Sequence, residues 1–211
     1  MARACKAAGY GAIVVTDHFF NANIGCPSKM PWGEKVAYLF RGYRAAKEEG
    51  DRIGLAVFKG WETNTEGREF LTYGLGEEFL LANPDIAKVG VREYLGRVAA
   101  AGGWIVQAHP FRRASYIPDF MPDPTLVEAF EVFNAGNKDP SFDEKALDMA
   151  MRFGLILTAG ADAHSAEAVR EGAMSCPYPV QSLSELIAAL RKGEATSVRR
   201  IDSAFLPIPR T

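Results

Sequence analysis

The stretch LILTAGADAH, Leu155 to His164, decides how the rest of the sequence reads. Its first half is apolar and short, as a strand covered on both faces would be, and its second half ends on Asp162 and His164, two residues apart. The helical pattern FDEKALDMAMRFG precedes it and stops at Gly154, so the local order is helix, strand, polar pair. That order recurs. AIVVTDH (Ala12–His18) follows the end of a helix stopped near Gly9, and IGLAVFKGWETN follows WGEKVAYLFRGYRAAKEEG, one helix expected to end on Gly50. WIVQAHP follows a helix from Val91 to Ala101 closed by Gly102 and Gly103. FLTYGL (Phe70–Leu75) and LVEAFEVFN (Leu126–Asn134) add two more strands. SLSELIAALRKG predicts a last helix capped by Ser182, with Glu185 in the reciprocal position, ending on Gly193. Strands alternating with helices predict an α/β fold.

Bulk properties narrow the function classes. A chain of 211 residues with no repeat, low-complexity tract or linker is expected to be a single domain over 1–211. Its tail, FLPIPRT, is too short to be another. A net charge of −2 supplies no basic field for a nucleic-acid backbone, so no nucleic-acid patch is expected. Cys5, Cys26 and Cys176 form no CxxC pair and leave an odd count, which argues for a reducing, cytoplasmic setting. No apolar run is long enough to span a membrane, and the N-terminus lacks the order of a signal peptide.

The chemistry concentrates at strand ends. All three histidines, His18, His109 and His164, fall at or just past the carboxyl end of an expected strand, and Glu62 and Glu131 lie near the ends of two others. Barrels and open α/β sheets build their sites there. Imidazoles with carboxylates form the ligand set of divalent transition metals, which makes His18, Glu62, His109, Asp162 and His164 the candidate metal ligands. Competing chemistries find less support. There is no GxSxG nucleophile turn, Ser165 merely follows His164, the cysteines lie in no nucleophile motif, and Gly9–Gly11 precede a strand where a phosphate loop would follow one.

In order, TDH (Thr16–His18), GWE (Gly60–Glu62), AHPFR (Ala108–Arg112), FEVFNA (Phe130–Ala135) and GADAH (Gly160–His164) resemble the successive motifs of the polymerase and histidinol phosphatase (PHP) family. The resemblance covers most of the chain. It implies a distorted (β/α)7 barrel, up to three divalent ions such as zinc, manganese or iron at the strands' carboxyl ends, and hydrolysis of phosphate esters. By the same resemblance His18 is the ligand of the second motif, Glu62 a bridging carboxylate, His109 the ligand of the AHP motif, and Asp162 with His164 the closing pair.

Two departures qualify it. Glu69 stands about where many members have a further histidine, either as a ligand or as a supporting group. The family's opening His-x-His strand has no counterpart, so the expectation is a barrel lacking its first strand, its gap covered by a loop, the tail or a second copy of the chain. Fewer than three bound ions and weak or absent hydrolysis follow. Asp162 and Arg112 are the expected catalytic residues, the arginine fork matching phosphate oxygens, and at most one of Arg112 and Arg113 should face the site. The expected partner is a small phosphorylated metabolite or nucleotide. The alternative is a catalytically impaired PHP-fold remnant serving as a binding or regulatory module. The loops NANIGCPSKMPWG and YIPDFMPDP are candidate lids that do not disclose the substrate.

Overall fold

A computed structural model describes residues 1–20, 25–115, 117–169, 171–201 and 204–209, so Asn21–Ile24 and Tyr116 of the two candidate lids lie outside the described residues. The elements run α1 (Ala2–Ala7), β1 (Ala12–Val15), α2 (Trp32–Leu39), α3 (Arg41–Ile53), β2 (Ala56–Thr65), β3 (Arg68–Tyr73), α4 (Glu77–Ala82), α5 (Val91–Ala100), β4 (Trp104–Gln107), β5 (Ala129–Asn134), α6 (Ser141–Phe153), β6 (Ile156–Gly160), β7 (Gly172–Ser175), α7 (Leu183–Arg191), β8 (Thr196–Ile201) and β9 (Ala204–Pro207). The first six strands pair in sequence order as one sheet, curled into a half-barrel.

β2 is the hinge of that sheet. Its first half pairs in parallel with β1, Ala56 to Lys59, and its second half pairs antiparallel with β3, Gly60 to Thr65. A two-residue turn makes the hairpin possible: Glu66 and Gly67 both have positive φ (54° and 78°), the backbone of the turn that matches strand twist. β3 runs against β4 as well, while β4, β5 and β6 are parallel. One strand of the sheet is therefore reversed, where the alternation of elements alone suggests an all-parallel order.

Helix boundaries depart from expectation at α2 and α3. The single expected helix breaks at Phe40, and α3 runs through Gly50 to end on Gly54, in the left-handed conformation at φ 68°. Gly50 serves packing instead. A Cβ there would lie 2.7 Å from the Leu55 carbonyl oxygen, so its absence lets α3 approach the start of β2. α6 and α7 follow the expected pattern. α6 stops on left-handed Gly154, and Ser182 Oγ accepts from the Glu185 N–H at 3.2 Å while the Gln181 N–H donates to Glu185 Oε2 at 2.7 Å.

The core lies in layers on both sides of the sheet. Trp61, Phe70, Tyr94 and Val98 are fully buried with Phe19, Leu39, Phe40 and Leu80 between the sheet and α2, α4 and α5. On another side Trp104, Val106 and Ala129 pack against Ala189 and Leu190 of α7.

A second, antiparallel sheet of β7, β8 and β9 was not foreseen, and β9 lies in the proline-rich tail. It leans on the half-barrel through a backbone approach that only glycine permits, because a Cβ on Gly172 would collide with the Gly160 carbonyl. β1 has a strand partner on one side only among the described residues. Near that edge Tyr10 donates from its hydroxyl to the Gly172 carbonyl at 2.9 Å and packs its ring edge-on against Phe205, 5.5 Å between centroids. Among the described residues no helix is long and apolar enough to cross a membrane.

Candidate metal centre

A cleft of about 1850 Å³ opens between β1 and the β6–β7 region, and His18, Glu62, Glu131, Asp162 and His164 all line it. β1 ends at Val15, yet ladder contact returns at His18, which forms an isolated parallel bridge with Glu62. That bridge sets the two side chains side by side, with His18 Nδ1 3.3 Å from Glu62 Oε2. On the other oxygen, Glu62 Oε1 lies 3.2 Å from His109 Nε2. The same imidazole nitrogen is 3.3 Å from Glu69 Oε2. Glu69 enters because the β2–β3 hairpin places Asn64 opposite it, and Asn64 Nδ2 donates to Glu69 Oε1 at 3.4 Å.

His164 closes the other flank, its Nε2 3.4 Å from His18 Nε2 and its Nδ1 3.6 Å from Asp162 Oδ1. His109 and Asp162 both have positive φ, 27° and 46°, although neither is glycine. Each sits directly past its strand, so the strain belongs to the turn that swings the side chain over the sheet's edge, a common cost at functional sites.

Electrostatics around the cluster are set by burial and by one arginine. Glu131 accepts from the His109 N–H at 3.0 Å and from Asn134 Nδ2 at 2.8 Å, and burial raises its pKa to about 7. A register shift in β5 between Glu131 and Phe133 lies beside it, and Gly160 leaves room for its carboxylate, which a Cβ there would strike. Burial lowers the His109 imidazole, but the Glu62 hydrogen bond and the charges of Glu131 and Glu62 outweigh it, leaving the group above its ordinary value. Burial pushes Asp162 up, and the Arg112 charge with its hydrogen bond overcomes this, holding the carboxyl below the usual range.

Arg112 and Arg113 diverge as neighbours on an extended turn should. Arg112 turns inward, donating from Nη2 to Asp162 Oδ2 at 2.9 Å and Asn134 Oδ1 at 2.7 Å, and from Nε to Asn137 Oδ1 at 2.8 Å. Arg113 donates to the Arg112 and Phe120 carbonyls. Asp17 lies away from the cluster against Gly42 near the start of α3, where burial raises its pKa.

Does this donor set suit divalent ions? Ligand atoms of His18, Glu62 and Glu69 lie within 4.8 Å of one another, close enough to serve one ion or two adjacent ones. His18 Nδ1 is buried without a hydrogen-bond partner, a cost that ligation would remove. Imidazole and carboxylate together match borderline dications, and the residues fit. Sequence spacing had not singled out Asn137 or Asp143; each acts through contacts that only the folded loop after β5 creates.

A curled α/β half-barrel with a histidine and carboxylate cluster past its strand ends offers the donor set that divalent ions take. Residues 140–195, which span α6, β6, the Asp162–His164 pair and α7, match the PHP-associated family. That match covers the segment carrying the GADAH motif and leaves the rest of the chain unmatched by a family model. The chain is similar in structure to a two-domain protein from Bacteroides vulgatus, named for an inferred PHP-like metal-dependent phosphoesterase, with TM-score 0.66 and 14% identity over 93% of this chain. The chain spans 58% of that protein's length. An inferred metal-dependent phosphoesterase from Bifidobacterium adolescentis has TM-score 0.50 and 15% identity over 78% of this chain and 81% of its own. An amidohydrolase from Chromobacterium violaceum, holding sulfate and no metal, has TM-score 0.54 and 14% identity over 96% of this chain and 92% of its own. At these identities the likeness is one of fold. No curated protein matches the sequence.

Proposed function

We propose that the chain is a metal-dependent hydrolase acting on a phosphate ester of a small metabolite or nucleotide. The observation that carries this reading is Glu62, whose two oxygens face two different imidazoles, His109 at 3.2 Å and His18 at 3.3 Å, as a carboxylate shared between two cations would. The names of the similar proteins, two phosphoesterases and an amidohydrolase, support hydrolysis as the reaction type. In this reading Glu62, Glu69 and His109 hold one ion, His18 and His164 another, and Glu62 with Asp162 flank a third position. Zinc, manganese and iron all suit such donors. Divalent ions there supply Lewis acidity and lower the pKa of a bound water. The chain's own groups do the remaining work. Asp162, kept ionised beside Arg112, presents Oδ1 to the cluster and orients the attacking water, while Arg112 supplies the planar fork for phosphate oxygens.

The finer architecture follows the same reading, a distorted (β/α)7 barrel opened beside β1. A second reading, a binding module without turnover, draws on one feature: the described donors at the third position are carboxylates, one of them already paired with Arg112. The test is titration with Mn²⁺ and Zn²⁺ by calorimetry, then hydrolysis of p-nitrophenyl phosphate and bis(p-nitrophenyl) phosphate. Binding with modest turnover is expected, and Glu62→Gln should lower turnover by more than about 100-fold, since even a supporting partner of a ligand is worth 10- to 100-fold. A wild-type chain that binds neither ion overturns the proposal, and binding without turnover favours the second reading.

A further inference from the structure

Arg112 is held from three directions, which is unusual for a residue whose only task is to wait for an anion. Asn137 fixes its Nε, and Asn137 is itself anchored by donating from Nδ2 to Asp143 Oδ1 at 2.7 Å. Asp143 also accepts from the Asn134 backbone N–H at 3.2 Å, so α6 braces both asparagines. Asn134 Oδ1 takes Nη2 and, at 2.7 Å, the Gly136 N–H. Asp162 Oδ2 completes the set, and only a glycine at 136 leaves room, since a Cβ there would lie 2.6 Å from Asp162 Oδ2 and 3.1 Å from Arg112 Nη2. The pair is largely buried, with side chains 17% and 14% exposed. Its two charges therefore act through a medium less screening than water.

Asp162 divides its oxygens. Oδ2 belongs to the guanidinium, and Oδ1 faces His164 and the cluster. Resting on the metal-hydrolase reading above, we propose that Arg112 is a built-in competitor for the cation at Asp162: its charge weakens divalent binding there, and cation binding in turn loosens the guanidinium toward an anionic substrate. Metal and anion sites are then coupled through one side chain, and the coupling is reciprocal by thermodynamic necessity. Arg112 thus differs from an ordinary brace on a metal ligand. A brace improves cation affinity by holding the ligand in place; a competing charge lowers it.

These two roles predict opposite signs, which makes Arg112→Gln decisive. The glutamine amide keeps a donor for Asp162 and removes the charge. Mn²⁺ affinity, measured by calorimetry on the folded variant, should rise by about tenfold, the order expected when a unit charge a few ångströms from a ligand is withdrawn. Inorganic phosphate affinity, measured with Mn²⁺ saturating, should fall by about tenfold, the size of one lost charge-assisted contact. Only this pairing of opposite shifts supports the proposal. Loss of both affinities makes Arg112 a brace, no change in either makes it a bystander, and each result overturns the inference while leaving the hydrolase reading standing. A wild-type chain that binds no cation removes that reading as well. An independent readout needs no substitution: the Arg112 Nε–Hε resonance should shift on Zn²⁺ titration of the ¹⁵N-labelled wild-type chain, and a resonance unmoved at saturation overturns the coupling.

Discussion

Tyr94→Phe removes one oxygen from the interior, and the structure indicates how much that should cost. The hydroxyl, on a residue with no exposed surface, accepts from Trp61 Nε1 at 2.8 Å and from Thr63 Oγ1 at 2.7 Å, and it shares a bond with Thr72 Oγ1 at 2.6 Å. Phenylalanine fills nearly the same volume, so no cavity term enters; the loss is three polar groups deprived of a partner away from water. A buried donor left unsatisfied costs about 1–3 kcal/mol. The two threonine hydroxyls can rotate toward other acceptors, whereas the Trp61 N–H is fixed by a fully buried ring, which puts the expected loss at about 2–4 kcal/mol. For a chain of this size that corresponds to a fall of roughly 5–15 °C in Tm. The effect should also reach the metal centre. Trp61 and Thr63 flank Glu62 on β2 and point to the opposite face, so loosening them loosens the carboxylate between them. Urea denaturation followed by tryptophan fluorescence measures the first effect, and Mn²⁺ calorimetry the second. A variant within 0.5 kcal/mol of wild type, roughly the scatter of an ordinary surface substitution, would refute the idea that this hydroxyl organises the β2–β3–α5 contact.

Glu131 ties stability to pH. Its folded-state pKa of about 7 stands above the ordinary 4.5, so its contribution is full below about pH 4.5 and is lost as pH rises through 7, about 3 kcal/mol in all. In chelator-treated protein Glu131→Gln should match wild type near pH 5 and exceed it in urea resistance at pH 8, and parallel stability curves for the two would show that burial does not govern this carboxyl. Two glycines should respond in opposite directions to alanine. Gly172→Ala forces a Cβ into the Gly160 carbonyl and should destabilise by about 1–3 kcal/mol. Gly96→Ala, in α5 with open space around it, should stabilise by up to about 1 kcal/mol, and equal thermal shifts for the two variants would contradict the close approach of β6 and β7.

What the sequence disclosed and what it withheld divide along a physical line. β1, β2, β4, β5 and β6 were legible because each carries a short apolar run between turn or helix-stop signals, and β4 and β5 are almost wholly buried. The direction of a strand leaves no such mark. REFLTYGL reads the same whether it runs with β2 or against it, and only the Glu66–Gly67 turn, two residues long, forces the reversal. β7, β8 and β9 escaped notice because only Gly172, Ser197 and Val198 among them are buried, so they carry no apolar run; they are strands by virtue of each other and of Gly172 lying on Gly160. The site divides similarly. Its three histidines stood out because a scarce residue type fell each time just past an apolar run, and the structure brings all three to one cluster. Glu69 joined that cluster through the hairpin register, and Asn137 reached Arg112 through the turn after β5, neither of which any spacing rule encodes. The left-handed backbone of His109 and Asp162 marks where these two kinds of information meet. The residue types announce ligands, and the strained turns that aim them exist only because buried strands on either side hold the chain ends fixed.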